Sequence, residues 1–149
     1  MPLSDREYIQ INQSLFSLTH AYESRSASDE NRKRAGLVLS DLSVLMVLGQ
    51  FAPINSRQLS RIMDINPGTI SLYVRRLVEK GLVEKDQDQE DRRNWWLSLT
   101  EPGEEAYRMT VAGAVEYTRY FLSALNELEQ LTLHRLLLKA SHSLGFGWQ

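Results

Sequence analysis

The chain has 149 residues, of which 42% are hydrophobic and 24% are charged, a composition typical of one soluble globular domain. It contains no cysteine, which excludes disulfides, thiolate metal sites and cysteine nucleophiles. Residues 1–10 are polar and charged, and no apolar run approaches the roughly 18 residues of a membrane span. We therefore expect a cytoplasmic protein without a membrane partner.

Charge is segregated along the chain. The net charge of −2 argues against indiscriminate binding to polyanions. Residues 55–82, however, hold five basic and two acidic side chains, whereas residues 100–149 hold four basic and six acidic ones. Because DNA binding depends on where the basic residues lie, residues 55–82 are the predicted polyanion-binding segment.

The N-terminal third predicts two helices separated by a loop. Residues 5–23 predict the first helix, because apolar residues recur at helical spacing. The polar stretch 24–35 predicts a loop, in which the basic residues 32–34 either contact DNA phosphate or are simply solvated. A second helix is expected to begin at Ser40 and to end within residues 49–53.

Two further helices are predicted in the basic segment. A short third helix covers residues 57–63, with either Asn55 or Ser56 as its N-cap. A fourth helix begins at Asn66, an N-capping residue, which is followed by Pro67 at the first helical position. The spacing is that of a helix-turn-helix.

The fourth helix is amphipathic and is followed by a hairpin. Its apolar face consists of Ile70, Val74, Leu77 and Val78. Gly81 ends the helix, and the apolar period then changes from 3.6 to 2, which predicts strands over residues 82–85 and 95–99 joined by a charged tip. Two final helices follow. The first is capped by Thr100 and is expected to continue to about Leu125, and the second is capped by Asn126 with Glu129.

The fold predicted from these elements is mainly α with a small β-hairpin wing, in the order ααααββαα. It is a winged helix-turn-helix domain flanked by N- and C-terminal dimerisation helices. We expect residues 1–149 to form one domain, with the DNA-binding region at 36–103 and the dimerisation helices at 1–35 and 104–149. The terminal helices carry more apolar surface than one small winged domain can cover.

The fourth helix is the predicted major-groove element. Small or polar residues near its start let the backbone approach base edges, and its free N–H groups attract phosphate. The predicted DNA-contacting residues are Asn66, Pro67, Gly68, Thr69, Ser71, Tyr73, Arg75 and Arg76. Arg75 and Arg76 point about 100° apart, so one is expected to face DNA while the other pairs with Glu79.

The hairpin tip is the predicted minor-groove element. It carries Arg92 and Arg93, and an extended loop that bears arginine fits the narrow minor groove of A·T tracts. Asp91 lies beside them and is expected to orient one guanidinium through a charge-assisted pair.

These segments resemble a known family. Residues 82–93 (LVEKDQDQEDRR), followed by residues 97–100 (LSLT) and Gly103, look like the wing signature of the MarR family. Residues 66–71 (NPGTIS) and 77–83 (LVEKGLV) are similar to that family's recognition helix and its exit. The match covers residues 40–103, while the flanking helices agree in order and length alone.

The resemblance implies a homodimer formed by the first helix and the last two. It implies recognition helices in successive major grooves of a pseudo-palindromic operator, about 34–36 Å apart, and Arg93 in the minor groove, braced by Asp91. Two departures from the family stand out. Pro67 occupies a place where the family often has a small polar residue. Trp95 and Trp96 form a bulky pair at the wing base.

The resemblance also implies a small-molecule pocket between the winged region and the dimerisation helices, often for aromatic acids or phenolic compounds. Candidate lining residues are Phe16, His20, Trp95 and Trp96. For His20 the alternative is a buried or interface position. Of the two tryptophans, one is expected in the core and the other facing the pocket or solvent.

The sequence therefore predicts a DNA-binding transcriptional regulator, and the resemblance implies a repressor that is released by a small aromatic or phenolic ligand. The alternative is a winged-helix module that binds protein without sequence-specific DNA binding, which the net charge of −2 keeps open. No nucleophile elbow, phosphate loop or His–carboxylate site supports an enzyme. No cofactor is expected, and His20, His134 and His142 lack the spacing of a metal site.

Overall fold

The computed structural model describes residues 2–27 and 29–143 and divides into two compact units, residues 1–39 and 40–149. Ser28, in the predicted loop, and residues 144–149, at the end of the predicted C-terminal dimerisation segment, lie outside the described residues. No helix within the described ranges is long and apolar enough to cross a membrane.

The first unit holds two helices, α1 (Asp5–Ala27) and α2 (Glu30–Arg34). The prediction of a loop over residues 24–35 is therefore wrong in part, because α1 is longer than expected and α2 is an additional helix. Local polar contacts explain α2: Asp29 Oδ1 accepts a hydrogen bond from the Arg32 N–H at 2.9 Å, as an N-cap does. Lys33 also pairs with Glu30 across one turn at 3.1 Å. The polar residues thus stabilise a turn of helix without an apolar face.

The second unit begins with α3 (Leu39–Phe51), β1 (Ile54–Asn55), α4 (Ser56–Met63) and α5 (Pro67–Glu79). Asn55 is the N-cap of α4, in a reciprocal capping box with Gln58, which settles the choice between Asn55 and Ser56. Asn66 caps α5 by accepting the Thr69 N–H at 2.9 Å, and Pro67 takes the first helical position, as predicted.

The sheet contains one strand more than predicted. The wing strands β2 (Val83–Gln87) and β3 (Trp95–Leu99) pair antiparallel, and β1 adds to the other edge of β3. The predicted two-stranded hairpin is therefore an antiparallel three-stranded sheet in the order β1-β3-β2. A strand of two residues is too short to show an alternating pattern, so sequence reasoning had no signal for β1.

The winged unit is built around an apolar core. The predicted inner face of α5 is confirmed for Ile70, Val74 and Leu77, which are at most 1% exposed, whereas Val78 is only half-buried. The remaining core residues come from α3, α4 and the sheet: Val44, Leu45, Val47, Leu48, Ile54, Leu59, Val83, Leu97 and Leu99. This core fixes the orientation of α5 and of the wing, which carry the predicted DNA contacts.

Two long helices close the chain, α6 (Glu101–Phe121) and α7 (Glu127–Ser143). Thr100 caps α6 as predicted, accepting the Gly103 N–H at 3.1 Å, and the Asn126–Glu129 capping box forms in both directions. Gly103 is required by close packing, because a Cβ there would lie 1.9 Å from the carbonyl oxygen of Leu82. The α6 helix ends at Phe121, four residues before the predicted Leu125, where a turn precedes α7.

Candidate nucleic-acid interface

The start of α5 has little side-chain bulk on its outer surface. Asn66, Pro67, Gly68 and Ser71 are all exposed, and Thr69 is half-buried. The Asn66 carboxamide oxygen is occupied by capping, and the Ser71 hydroxyl donates to the Pro67 carbonyl at 2.9 Å. The Ser71 oxygen keeps its capacity as an acceptor, and because the residue is exposed it can accept a hydrogen bond from a base amino group.

The adjacent arginines of α5 differ in environment. Arg76 is turned toward α3, where its Nε donates to Asp41 Oδ1 at 2.7 Å and its Nη2 donates to the Ser40 hydroxyl at 2.9 Å. The guanidinium carbon also lies 5.4 Å from the centre of the Tyr73 ring, within the range of a cation–π contact. Arg75 is exposed and has no hydrogen-bond or ion-pair partner within the described part of the chain. Arg75 is thus the arginine of the pair that is available for DNA.

The expected pairing of one of these arginines with Glu79 is wrong. Asp41 is fully buried, at 0% exposure, and a buried carboxylate needs a counter-charge far more than a solvated one does. Glu79 is exposed and can remain hydrated. Arg76 therefore pairs with Asp41, 35 residues away in sequence, and joins the start of α3 to the recognition helix α5.

The wing tip is a hydrogen-bonded turn. Asp88 Oδ1 accepts the backbone N–H groups of Glu90 at 2.8 Å and Asp91 at 3.0 Å, and its Oδ2 accepts the Trp96 indole N–H at 2.7 Å. These bonds, led by the one from the Asp91 N–H, hold the pKa of the Asp88 carboxyl below its usual range, because they stabilise the charged form. Across the turn, Gln87 donates to the Arg92 carbonyl at 2.7 Å.

Asp91 braces Arg93 in a different way from the predicted one. Its Oδ1 accepts the backbone N–H of Arg93 at 3.0 Å, and neither Arg92 nor Arg93 forms an ion pair within residues 29–143. The charge-assisted pair with a guanidinium is therefore absent, since the carboxylate is engaged by the turn's own backbone. Both arginine side chains are exposed.

A cleft of about 510 Å³ separates the wing tip from the start of α4. Its lining residues are Asn55, Ser56, Arg57, Asp91, Arg93, Asn94 and Trp95. Trp95 is 44% exposed and faces this cleft, while Trp96 is half-buried and bonded to Asp88. The expectation that one tryptophan enters the core is wrong, because the core positions of β3 are taken by Leu97 and Leu99.

Phe16 and His20 lie one turn apart on α1. Their rings stack with centroids 6.5 Å apart, and Phe16 is 73% exposed. His20 is exposed as well, so the alternative of a position buried within the single chain is wrong.

Comparison with known proteins assigns the family. Residues 37–95 match the model of the MarR family. The transcriptional repressor MdtR of Bacillus subtilis is 26% identical over 114 residues, covering 76% of this chain and 74% of MdtR. A probable transcriptional regulator of Pseudomonas aeruginosa is 30% identical in its crystal structure, with a TM-score of 0.76 over 88% of this chain and 96% of that one. The chain belongs to the MarR family.

A further solved structure shares the fold of this MarR-family chain. Streptococcus pneumoniae FabT, crystallised in complex with DNA, is 20% identical, with a TM-score of 0.75 over 93% of this chain and 97% of FabT. The resemblance drawn from residues 40–103 is confirmed, and with it the winged helix-turn-helix fold. As a MarR-family member, the chain is a DNA-binding transcriptional regulator.

Two residues of the MarR-family surface escaped the sequence reasoning. Arg57 lines the same cleft as Arg93. The two residues are brought to one cleft by the pairing of β1 with β3, which the sequence does not reveal. Leu72 is 53% exposed on α5. Its helical position, half a turn away from the buried Ile70 and Val74, could have revealed it.

Proposed function

We propose that this chain acts as a homodimeric repressor on a pseudo-palindromic operator, with α5 in the major groove and Arg93 at the minor groove. The observation that carries the proposal is the wing tip, where Asp88 and Asp91 fix the backbone and leave Arg92 and Arg93 exposed. An ordered backbone lowers the entropic cost of placing a guanidinium in a narrow groove. The unpaired Arg75 adds a second cationic contact on α5.

The DNA-binding part of the proposal can be tested by fluorescence anisotropy with the protein's own promoter. We expect specific binding at about 0.1 M salt that is at least a thousandfold tighter than binding to random DNA. Arg93→Ala removes one cation from each half-site, so it should weaken binding at least about tenfold and lower the salt dependence by about two units. Arg108→Ala is the matched control, because Arg108 is exposed on α6 and pairs with Glu105.

The outcomes separate the proposal from its alternative. Equal affinity for promoter and random DNA would support a winged-helix module that binds protein. Loss of binding in Arg108→Ala as large as in Arg93→Ala would contradict a role for the wing.

Dimerisation is supported by apolar side chains exposed outside the winged region. Those on α1, α6 and α7 are Tyr8, Ile9, Ile11, Leu15, Phe16, Leu18, Met109, Val115, Tyr120, Leu128, Leu131, Leu136, Leu137 and Leu138. Such a quantity of exposed apolar surface is typical of an interface. Sedimentation at micromolar concentration should give twice the chain mass of 17.2 kDa, and a monomer would contradict the two-half-site model.

Relief of repression by a small aromatic or phenolic ligand completes the proposal. Trp95, exposed beside Arg57 and Arg93 in the cleft, offers an aromatic face near cationic groups. The probe is 2-hydroxybenzoate, which carries both a carboxylate and a phenol. We expect it to quench tryptophan fluorescence and to release promoter DNA, and release should restore transcription from that promoter in vitro. An unchanged DNA affinity at millimolar probe would contradict this part.

A further inference from the structure

Leu72 stands out in the winged region for its exposure. Between residues 40 and 100, all of which the structure describes, Leu72 and Trp95 are the only large apolar side chains that are exposed. Trp95 lines the cleft at the wing base, so within residues 40–100 Leu72 is the one large apolar side chain exposed on the outer surface of a helix. Its exposure of 53% means that about half of a leucine side chain faces water without a partner in this unit.

Leu72 lies on the side of α5 that faces away from the core. At 3.6 residues per turn, it lies about 160° from both Ile70 and Val74, whose side chains are buried. It lies about 40° from Gly68 and about 60° from Arg75 on the same outer surface, and both of these residues are exposed. Since Gly68 has no side chain, the turn before Leu72 leaves room for a base edge to approach.

The chemistry of the major groove narrows what such a side chain can contact. Phosphates and base heteroatoms are polar, and the apolar group that base pairs present in this groove is the C5-methyl of thymine. A leucine in the centre of the outer face of α5 matches that methyl and no other group there. If α5 read the bases through polar contacts alone, the exposed leucine at this position would have no partner in the groove.

We propose that Leu72 is a specificity-determining residue that contacts the C5-methyl of one thymine in each operator half-site. The inference rests on the proposed function, because it requires α5 to lie in the major groove. Removing one buried methyl should reduce affinity about fourfold, and removing it from both half-sites about fifteenfold.

The experiment begins by selecting the operator from random DNA with the full-length protein. Each symmetric pair of thymines is then replaced by deoxyuridine, which removes the methyl and keeps the base pairing. Affinities are measured by anisotropy for the wild type, Leu72→Ala and Leu72→Met. Thermal unfolding by circular dichroism establishes that the variants fold, which is expected because Leu72 is exposed.

We expect one thymine pair at which deoxyuridine weakens wild-type binding about fifteenfold and leaves Leu72→Ala unchanged. Leu72→Met keeps an apolar end group, so deoxyuridine at that thymine pair should weaken its binding nearly as much as it weakens wild-type binding. Equal deoxyuridine effects in wild type and Leu72→Ala at every thymine would overturn the assignment of Leu72, while the proposed function would stand. Failure to select any operator would instead overturn the proposed function itself.

Discussion

The ion pair between Asp41 and Arg76 makes a sharp prediction about stability, because its two partners are buried to different extents. The side chain of Asp41 is 0% exposed, whereas that of Arg76 is 37% exposed. Removing one partner of a buried ion pair costs about 3–5 kcal/mol when the other remains buried and uncompensated. The two single substitutions should therefore have unequal effects.

Arg76→Ala should lower the free energy of unfolding by about 3 kcal/mol, because the carboxylate of Asp41 stays buried without a counter-charge. Asp41→Ala should cost less, about 1–2 kcal/mol, since the partly exposed guanidinium can recover water. Arg76→Lys should fall between them, because an ammonium cannot donate to Asp41 and Ser40 in the forked geometry of the guanidinium.

The measurement is urea unfolding followed by circular dichroism, with the double variant completing a thermodynamic cycle. Protein concentration must be equal throughout, because dimerisation would add to the apparent stability. A loss for Asp41→Ala that equals or exceeds the loss for Arg76→Ala would refute the reasoning from burial. Additive effects of the two substitutions would show that the pair is not coupled.

Three further predictions concern the wing, the start of α6 and α5. Asp88→Ala should loosen the wing tip and weaken DNA binding. Because the pKa of Asp88 is lowered in the folded protein, the contacts of its carboxylate should persist through the ordinary aspartate range and be lost only as pH falls through the lowered pKa. The loss should appear as a shift of the Trp96 indole NMR signal. Gly103→Ala should destabilise the fold by at least about 2 kcal/mol in urea unfolding, since its Cβ would meet Leu82 O; unchanged stability would contradict this packing. Arg75→Ala should weaken DNA binding without lowering the unfolding free energy, whereas a loss of stability would show that this arginine also has a structural role.

The features that the sequence predicted well are those determined by neighbouring residues. The caps at Asn66, Thr100 and Asn126 each involve a side chain and a backbone group three residues away, so the local sequence contains all the information. The inner face of α5 was likewise visible, because helical periodicity alone places Ile70 and Val74 on one side.

The features that escaped prediction depend on distant parts of the chain. The Asp41–Arg76 pair spans 35 residues, and the local sequence around Asp41 does not indicate which cation pairs with it. The pairing of Ile54 with Leu97 adds β1 to the sheet through a contact that is equally non-local. The role of Asp91 differs for another reason, since its carboxylate accepts a hydrogen bond from the backbone N–H of Arg93 and not from a guanidinium.

The central claim is that two copies of this chain place α5 in successive major grooves and Arg93 in the minor groove on either side. A hydroxyl-radical footprint on the selected operator tests it most directly, because this reagent reports minor-groove access along each strand. We predict a two-fold symmetric pattern of protection, with flanking minor-groove protections that disappear in Arg93→Ala while the central pattern remains. An asymmetric footprint over a single half-site, or flanking protection that survives Arg93→Ala, would contradict the account.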